Sequence, residues 1–248
     1  MAGIVVQLAI SWLIIWLYER NDLRVLGFAP TKRRLIDLLF FFLVTALCCA
    51  SGFLLKMYFS DLRWKVNPKL TFALVTEGVW WNIKSVLFEE LIFRGVLFYI
   101  LIKRLGIKKA IVISAVAFGI YHWFSFGVIG NPMQMLFTFL ITGTMGLVYA
   151  FGYSRTMSLY VPCAIHLGWN VTQNLIFSQG PIGNGVFQQT GDQQFRTGSY
   201  LVFIFVYFFP MLSAMLLNFY LLKKKKQIDP FLYTKQLVPS PAIPGGDH

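Results

Sequence analysis

Residues 35–59 read LIDLLFFFLVTALCCASGFLLKMYF. Only Asp37 and Lys56 are charged in that stretch, and roughly 20 apolar residues in a row carry a helix across the hydrocarbon core of a bilayer. Working outward, six further apolar runs occupy 3–18, 70–102, 110–126, 134–153, 158–177 and 199–222. Five of the seven are comfortably long enough to span, and the first is short. The third would reach about 50 Å as one straight helix. It is therefore predicted to break near Trp80–Lys84, into an entry or interfacial segment and a spanning helix. The expected fold is all-α, a polytopic membrane helix bundle of about seven or eight helices around a buried polar cavity.

Composition agrees. Hydrophobic residues make up 57% of the 248 and charged residues 13%, against roughly 45–50% and about 25% in ordinary soluble domains. A disordered, collagenous or disulfide-rich secreted chain is excluded. The net charge of +12 would suggest nucleic acid in a soluble protein. In a polytopic chain it belongs to the loops, and no nucleic-acid partner is expected; the bilayer is.

The basic residues alternate. Segments 19–34, 103–109, 154–157 and the end from Lys223 onward carry 15 Lys and Arg, while the intervening loops carry four, Arg63, Lys65, Lys69 and Arg196. Basic loops stay in the cytoplasm, which puts the C-terminus inside, in what we expect to be a bacterial cytoplasmic membrane, and the N-terminus outside if the short first run spans, inside if it does not. The first run lacks a basic n-region and reads as an uncleaved anchor. Cys48, Cys49 and Cys163 lie in apolar runs without metal or redox spacing and read as packing residues. The stretch 178–198 (SQGPIGNGVFQQTGDQQFRTG) reads as an outside loop or a gate over a site. Residues 227–248, with four prolines, read as a flexible cytoplasmic tail that includes His248.

Ionisable groups inside a bilayer are costly and are functional candidates by default. Run three carries Glu89, Glu90 and Arg94, run four His122, and run six His166 and Asn170. Asp37 reads as interfacial. Side chains at i and i+4 share a helix face, so Glu90 and Arg94 can pair. Glu89, turned about 100° away, is free to face a site. Phe118 can wedge His122 by the same spacing, and His166 and Asn170 share a third face. Counted from the basic ends, Glu89 is 13 residues from Ile102 and His122 is 13 from Lys109, each about 20 Å. His166 and Asn170 are 8 and 12 from Ser158, about 12 and 18 Å. Similar depth on three helices points to one polar cavity. A carboxylate there can act as general base on water, a histidine can hold that water or donate to a leaving group, and an Asn amide can stabilise an oxyanion. No nucleophilic Ser or Cys stands with a neighbouring base. Direct attack by water follows, in a hydrolase buried in the membrane.

Three motifs carry a resemblance. Glu89-Glu90-Leu91-Ile92-Phe93-Arg94 resembles the EExxxR motif of the CPBP family of CAAX proteases and bacteriocin-processing (Abi) enzymes, Phe118–His122 its FxxxH motif, and His166–Asn170 its HxxxN motif. The resemblance covers roughly 75–180. It implies a CPBP-type protease core, which with the last span would occupy 70–226, after N-terminal membrane helices in 1–69. It also implies an intramembrane endopeptidase: Glu89 activates water with His122 assisting, His166 and Asn170 stabilise the oxyanion, and Glu90, Arg94 and Phe118 organise the site. The implied substrate is a membrane-associated peptide or protein. No cofactor is favoured. A divalent metal such as zinc would have to be held by His122, His166 and Glu89, without an HExxH motif or a third intramembrane histidine.

Duller readings stand beside these. Glu90–Arg94 alone could be a structural ion pair, and each histidine an interhelical hydrogen-bonding residue. Lys56 can snorkel from a span end. Glu77 and Lys84 flank Trp80–Trp81 as an interfacial belt, or line substrate entry. Gly143, Gly146 and Ala150 allow close helix packing. The rival functions are a transporter with an intramembrane Glu/His relay and a non-catalytic membrane immunity or binding protein.

Overall fold

A computed structural model describes residues 2–178, 185–190 and 195–237. Helix α1 (Ala2–Glu19) leads through a short 3-10 turn (Leu23–Leu26) to α2 (Lys32–Phe59), and strand β1 (Arg63–Val66) precedes α3 (Phe72–Phe93). Then come α4 (Val96–Leu105), α5 (Ile107–Ser125), α6 (Pro132–Thr156) and α7 (Tyr160–Asn170), which runs on through a π turn (Val171–Ile176). Strand β2 (Phe187–Thr190), α8 (Tyr200–Lys224) and α9 (Pro230–Leu237) follow. Thr31, Thr71, Asn131 and Ser199 cap α2, α3, α6 and α8, each accepting a backbone N–H of the first turn through its side chain.

The architecture is an all-α membrane bundle. Among the described residues α1, α2, α5, α6 and α8 are long and apolar enough to cross a membrane. Their outer faces remain apolar, with Ile10, Leu47, Val112, Leu136 and Leu216 all exposed, as a hydrocarbon surround requires. The most extensive packing joins α5 to α6 and α2 to α7 and α8. Small residues let α5 and α6 close on each other: a Cβ added at Gly119 would lie 3.4 Å from the Gly143 Cα, and Ala150 is fully buried.

Several expectations are corrected. The third apolar run does not break at Trp80–Lys84; α3 passes straight through those residues, and the break comes at Arg94–Gly95. Arg94 leaves helical geometry at φ −127°, and any Cβ at Gly95 would sit 2.0 Å from the Leu91 carbonyl oxygen. A depth count from Ile102 to Glu89 therefore crosses a helix break. The sixth run is not one comfortable span: α7 has 11 residues and the π turn six. The first run, by contrast, forms an 18-residue helix.

Part of the 178–198 stretch is strand. β2 pairs antiparallel with β1, from Arg63 opposite Thr190 to Val66 opposite Phe187. Phe53 stacks on Phe177 at 4.2 Å, Trp64 meets both edge-on, and Phe187 stacks on Phe177, so aromatic packing holds the ribbon on α2. Residues 179–184 and 191–194 of that stretch lie outside the described ones. The segment after Lys226 contains α9, which Pro230 opens and Asp229 caps through Oδ1; residues 238–248, with His248, lie outside the described ones. Asp37 is buried against the protein, and Lys225 Nζ stands 2.6 Å from its Oδ1.

That ion pair is one of several contacts that gather the basic segments at one end. Lys103 and Arg104 pair with Glu19. Tyr153 donates to the Val25 carbonyl at 2.9 Å and Ser158 to that of Gly27 at 3.1 Å. Arg155 donates to Gln227 Oε1 at 3.0 Å.

Candidate active site

Glu89 and Glu90 sit on the last turn of α3 and point apart, as their 100° offset dictates. Glu90 is fully buried, and its Oε1 accepts from Arg94 Nη1 at 3.2 Å. Arg94 Nη2 donates to the Gly146 carbonyl on α6 at 3.1 Å, and the guanidinium lies over the Phe118 ring at 4.3 Å and the Tyr149 ring at 5.1 Å. A buried charge pair needs such further partners to offset its desolvation. Gly146 is part of the device, since a Cβ there would stand 3.1 Å from both Arg94 Nη2 and Phe118.

Glu89 faces the other way, into a cavity of about 580 Å³ bounded by α2, α3, α5, α6, α7, the π turn and α8. His122 from α5 and His166 from α7 meet it there. Both Nε2 atoms stand 3.8 Å from Glu89 Oε2, and that buried oxygen takes no hydrogen bond among the described residues. The far side of each imidazole is held. His122 Nδ1–H donates to the Phe118 carbonyl at 2.8 Å, and His166 Nδ1–H donates to Glu90 Oε1 at 2.8 Å. With each Nδ1–H engaged, Nε2 is the nitrogen that each ring turns toward the carboxylate. Phe118 wedges between them, edge-on to His122 at 4.5 Å and to His166 at 5.9 Å. Asn170 lines the same cavity one turn past His166.

All seven residues singled out by spacing thus come together: Glu89, His122, His166 and Asn170 on the cavity, Glu90, Arg94 and Phe118 around it. Three contributors were missed. Tyr149 stacks on His166 at 4.8 Å and 17°, but one tyrosine in a chain with 17% aromatics carries no signal of its own. The hold of Glu90 on His166 joins residues 76 apart. Lys56, expected to snorkel, lines the cavity instead. The Trp80–Trp81 pair divides: Trp80 is exposed while Trp81 lines the cavity with Ser85.

Glu89 Oε2 and the two Nε2 atoms converge on one point and leave room for a small polar molecule between them. A metal fits less well. Three zinc ligands at about 2.0–2.2 Å in tetrahedral directions stand about 3.4 Å from one another, closer than the 3.8 Å found from Glu89 to each histidine. Among the described residues no group of three His, Cys, Asp or Glu is placed to hold a metal ion.

Comparisons with known proteins meet this geometry. Residues 69–172 match the family described as type II CAAX prenyl endopeptidase Rce1-like. Over 117 residues the chain is 32% identical to a Bacillus subtilis (strain 168) protein named "Putative membrane peptidase YdiL", an alignment covering 47% of this chain and 43% of that relative. The chain thus aligns with less than half the length of this relative. No solved structure matches. Residues 69–172, which hold every residue of the three motifs, are thus similar to the Rce1-like family.

Proposed function

We propose that the protein is an intramembrane endopeptidase, hydrolysing peptide bonds of a membrane-associated peptide or protein by water that Glu89 activates. The observation that carries this reading is the approach of His122 Nε2 and His166 Nε2 to the single oxygen Glu89 Oε2. The names of the matched family and relative point to the same reaction class.

In the proposed reaction, Glu89 takes a proton from water as the water oxygen bonds to the carbonyl carbon of the substrate. His122 Nε2 accepts the water's other hydrogen and so fixes its direction of attack. Negative charge develops on the carbonyl oxygen, where His166, when it carries its second proton at Nε2, and the Asn170 amide donate. The C–N bond breaks as the proton held by Glu89 passes to the leaving nitrogen. Glu90 and Arg94 act through others: Glu90 holds His166 by Nδ1, and Arg94 holds Glu90. The cavity of about 580 Å³ inside the bundle has room for that water, and the gathered basic end would face the cytoplasm of a bacterial membrane. No step requires a metal.

The test is cleavage of a pooled peptide library by purified protein in lipid, read by mass spectrometry, wild type beside Glu89→Gln. Cleavage by wild type alone is expected. Equal cleavage by Glu89→Gln would overturn the mechanism, and retention of biological function by that variant would favour a non-catalytic binding protein.

A further inference from the structure

Lys56 lies on α2, two turns past Cys49, whose thiol donates to the Trp169 carbonyl beside Asn170. Seven residues of helix place Lys56 about 10 Å further along the bundle axis, toward the β1–β2 ribbon. Lys56 lines the same cavity as Glu89, together with Phe53, Val206 and Tyr207. Its ammonium sits 5.4 Å from the Phe53 ring and 5.0 Å from that of Tyr207. Among the described residues no carboxylate pairs with it, although Asp37, Glu19 and Glu90 each have their cation. Ring faces offset part of the cost of a cation in an apolar cavity. Among the described residues no acceptor takes its N–H donors, and an ammonium carries three.

We infer that Lys56 forms a carboxylate-binding subsite at one end of the cavity, which selects substrates carrying a negative group near the bond that is cut. The inference rests on the peptidase reading of Glu89. A peptide offers a carboxylate from two sources, an Asp or Glu side chain or its own C-terminus, and either meets the ammonium in the same way. A substrate with a neutral amide there offers the lysine a carbonyl acceptor but no counter-charge. The subsite is built from α2 and α8, not from the helices carrying the three motifs, so it acts on which peptide is held and not on the chemistry.

The experiment uses the full chain in phosphatidylcholine nanodiscs and one fluorescent peptide in matched forms: free acid or amidated at its end, and with Glu or Gln scanned through each position. Binding to Glu89→Gln protein and kcat/KM of wild type are both measured. One carboxylate form should be preferred over its neutral counterpart by about tenfold or more, and the position of that form tells the side chain from the chain end. Lys56→Met should bring the preference to about one, Lys56→Arg should keep it, and Lys56→Glu should favour the peptide with Lys at the same place. A wild-type protein indifferent to peptide charge in both measurements overturns the subsite, as does a preference that Lys56→Met leaves intact or that added phosphatidylglycerol abolishes. Failure of the peptidase reading looks different: no peptide is cut, while the binding preference persists.

Discussion

His166 and Arg94 share one oxygen. Glu90 Oε1 accepts from His166 Nδ1 at 2.8 Å and from Arg94 Nη1 at 3.2 Å, so the ion pair that neutralises Arg94 also sets the face that His166 presents to Glu89. The second carboxylate of the pair thus holds His166 and balances Arg94 through the same oxygen.

Glu90→Gln tests both duties. The amide keeps the size and can still accept from one partner, but Arg94 is left as a buried charge without its counter-ion. Breaking such a pair typically costs about 3–5 kcal/mol. A clear fall in melting temperature in detergent is expected, with cleavage reduced more than the unfolded fraction explains. Adding Arg94→Gln to Glu90→Gln should restore much of the stability without the activity. A double variant as unstable as the single one would show that the loss comes from something other than the stranded charge.

Gly146→Leu probes the same cluster from α6. The new side chain would start 3.1 Å from Arg94 Nη2 and from Phe118, with Ala115 directly behind. Overpacking of this kind costs about 1–3 kcal/mol and would push the guanidinium from its place over the ring. Lower thermal stability and a lower kcat with KM nearly unchanged are expected, while Gly143→Ala, whose Cβ would meet nothing nearer than 3.5 Å, should be close to neutral. Equal effects at the two glycines would mean that helix approach alone matters there.

How much of this was legible depended on sequence distance. Glu90 and Arg94 lie one helical turn apart, so their pairing follows from spacing, and the histidines stand out because polar groups are rare in apolar runs. The bond from Glu90 to His166 was hidden because nothing local links α3 to α7. The helix break was misplaced for a related reason. Length demands one somewhere in 70–102, but it falls where Arg94 turns inward to reach Gly146 on α6, and that is a tertiary event. Lys56 misled because a lysine near a span end reads as a snorkelling one; only α8, which brings Tyr207 beside it, makes it a cavity residue. The ribbon was missed because β2 lies in a Gly- and Gln-rich stretch, and its register rests on the aromatic packing of Phe177 and Phe187.

Chelation separates two readings of the Glu89–His122–His166 meeting. The 3.8 Å spacings are wider than zinc ligation needs, and water-mediated chemistry has no use for a tighter approach. Incubation with EDTA or phenanthroline should leave the cleavage rate unchanged, and metal analysis of active protein should find well under one equivalent per chain. Loss of activity that zinc alone restores would instead make these three residues ligands.

The gathered basic end makes a prediction about orientation. Asp37 with Lys225, Glu19 with Lys103, and Arg155 with Gln227 tie four separate basic segments together, while the β1–β2 ribbon, which carries Arg63 and Lys65, joins the ends of α2 and the π turn away from them. Positive charge resists translocation, so the tied end should stay in the cytoplasm. Lys226→Cys and Thr190→Cys place thiols on the two ends, and the native cysteines lie within α2 and α7. In intact cells a membrane-impermeant maleimide should label Thr190→Cys and leave Lys226→Cys unlabelled until the membrane is opened. The reverse pattern would invert the orientation, and the cavity would then have to draw its substrates from the opposite side.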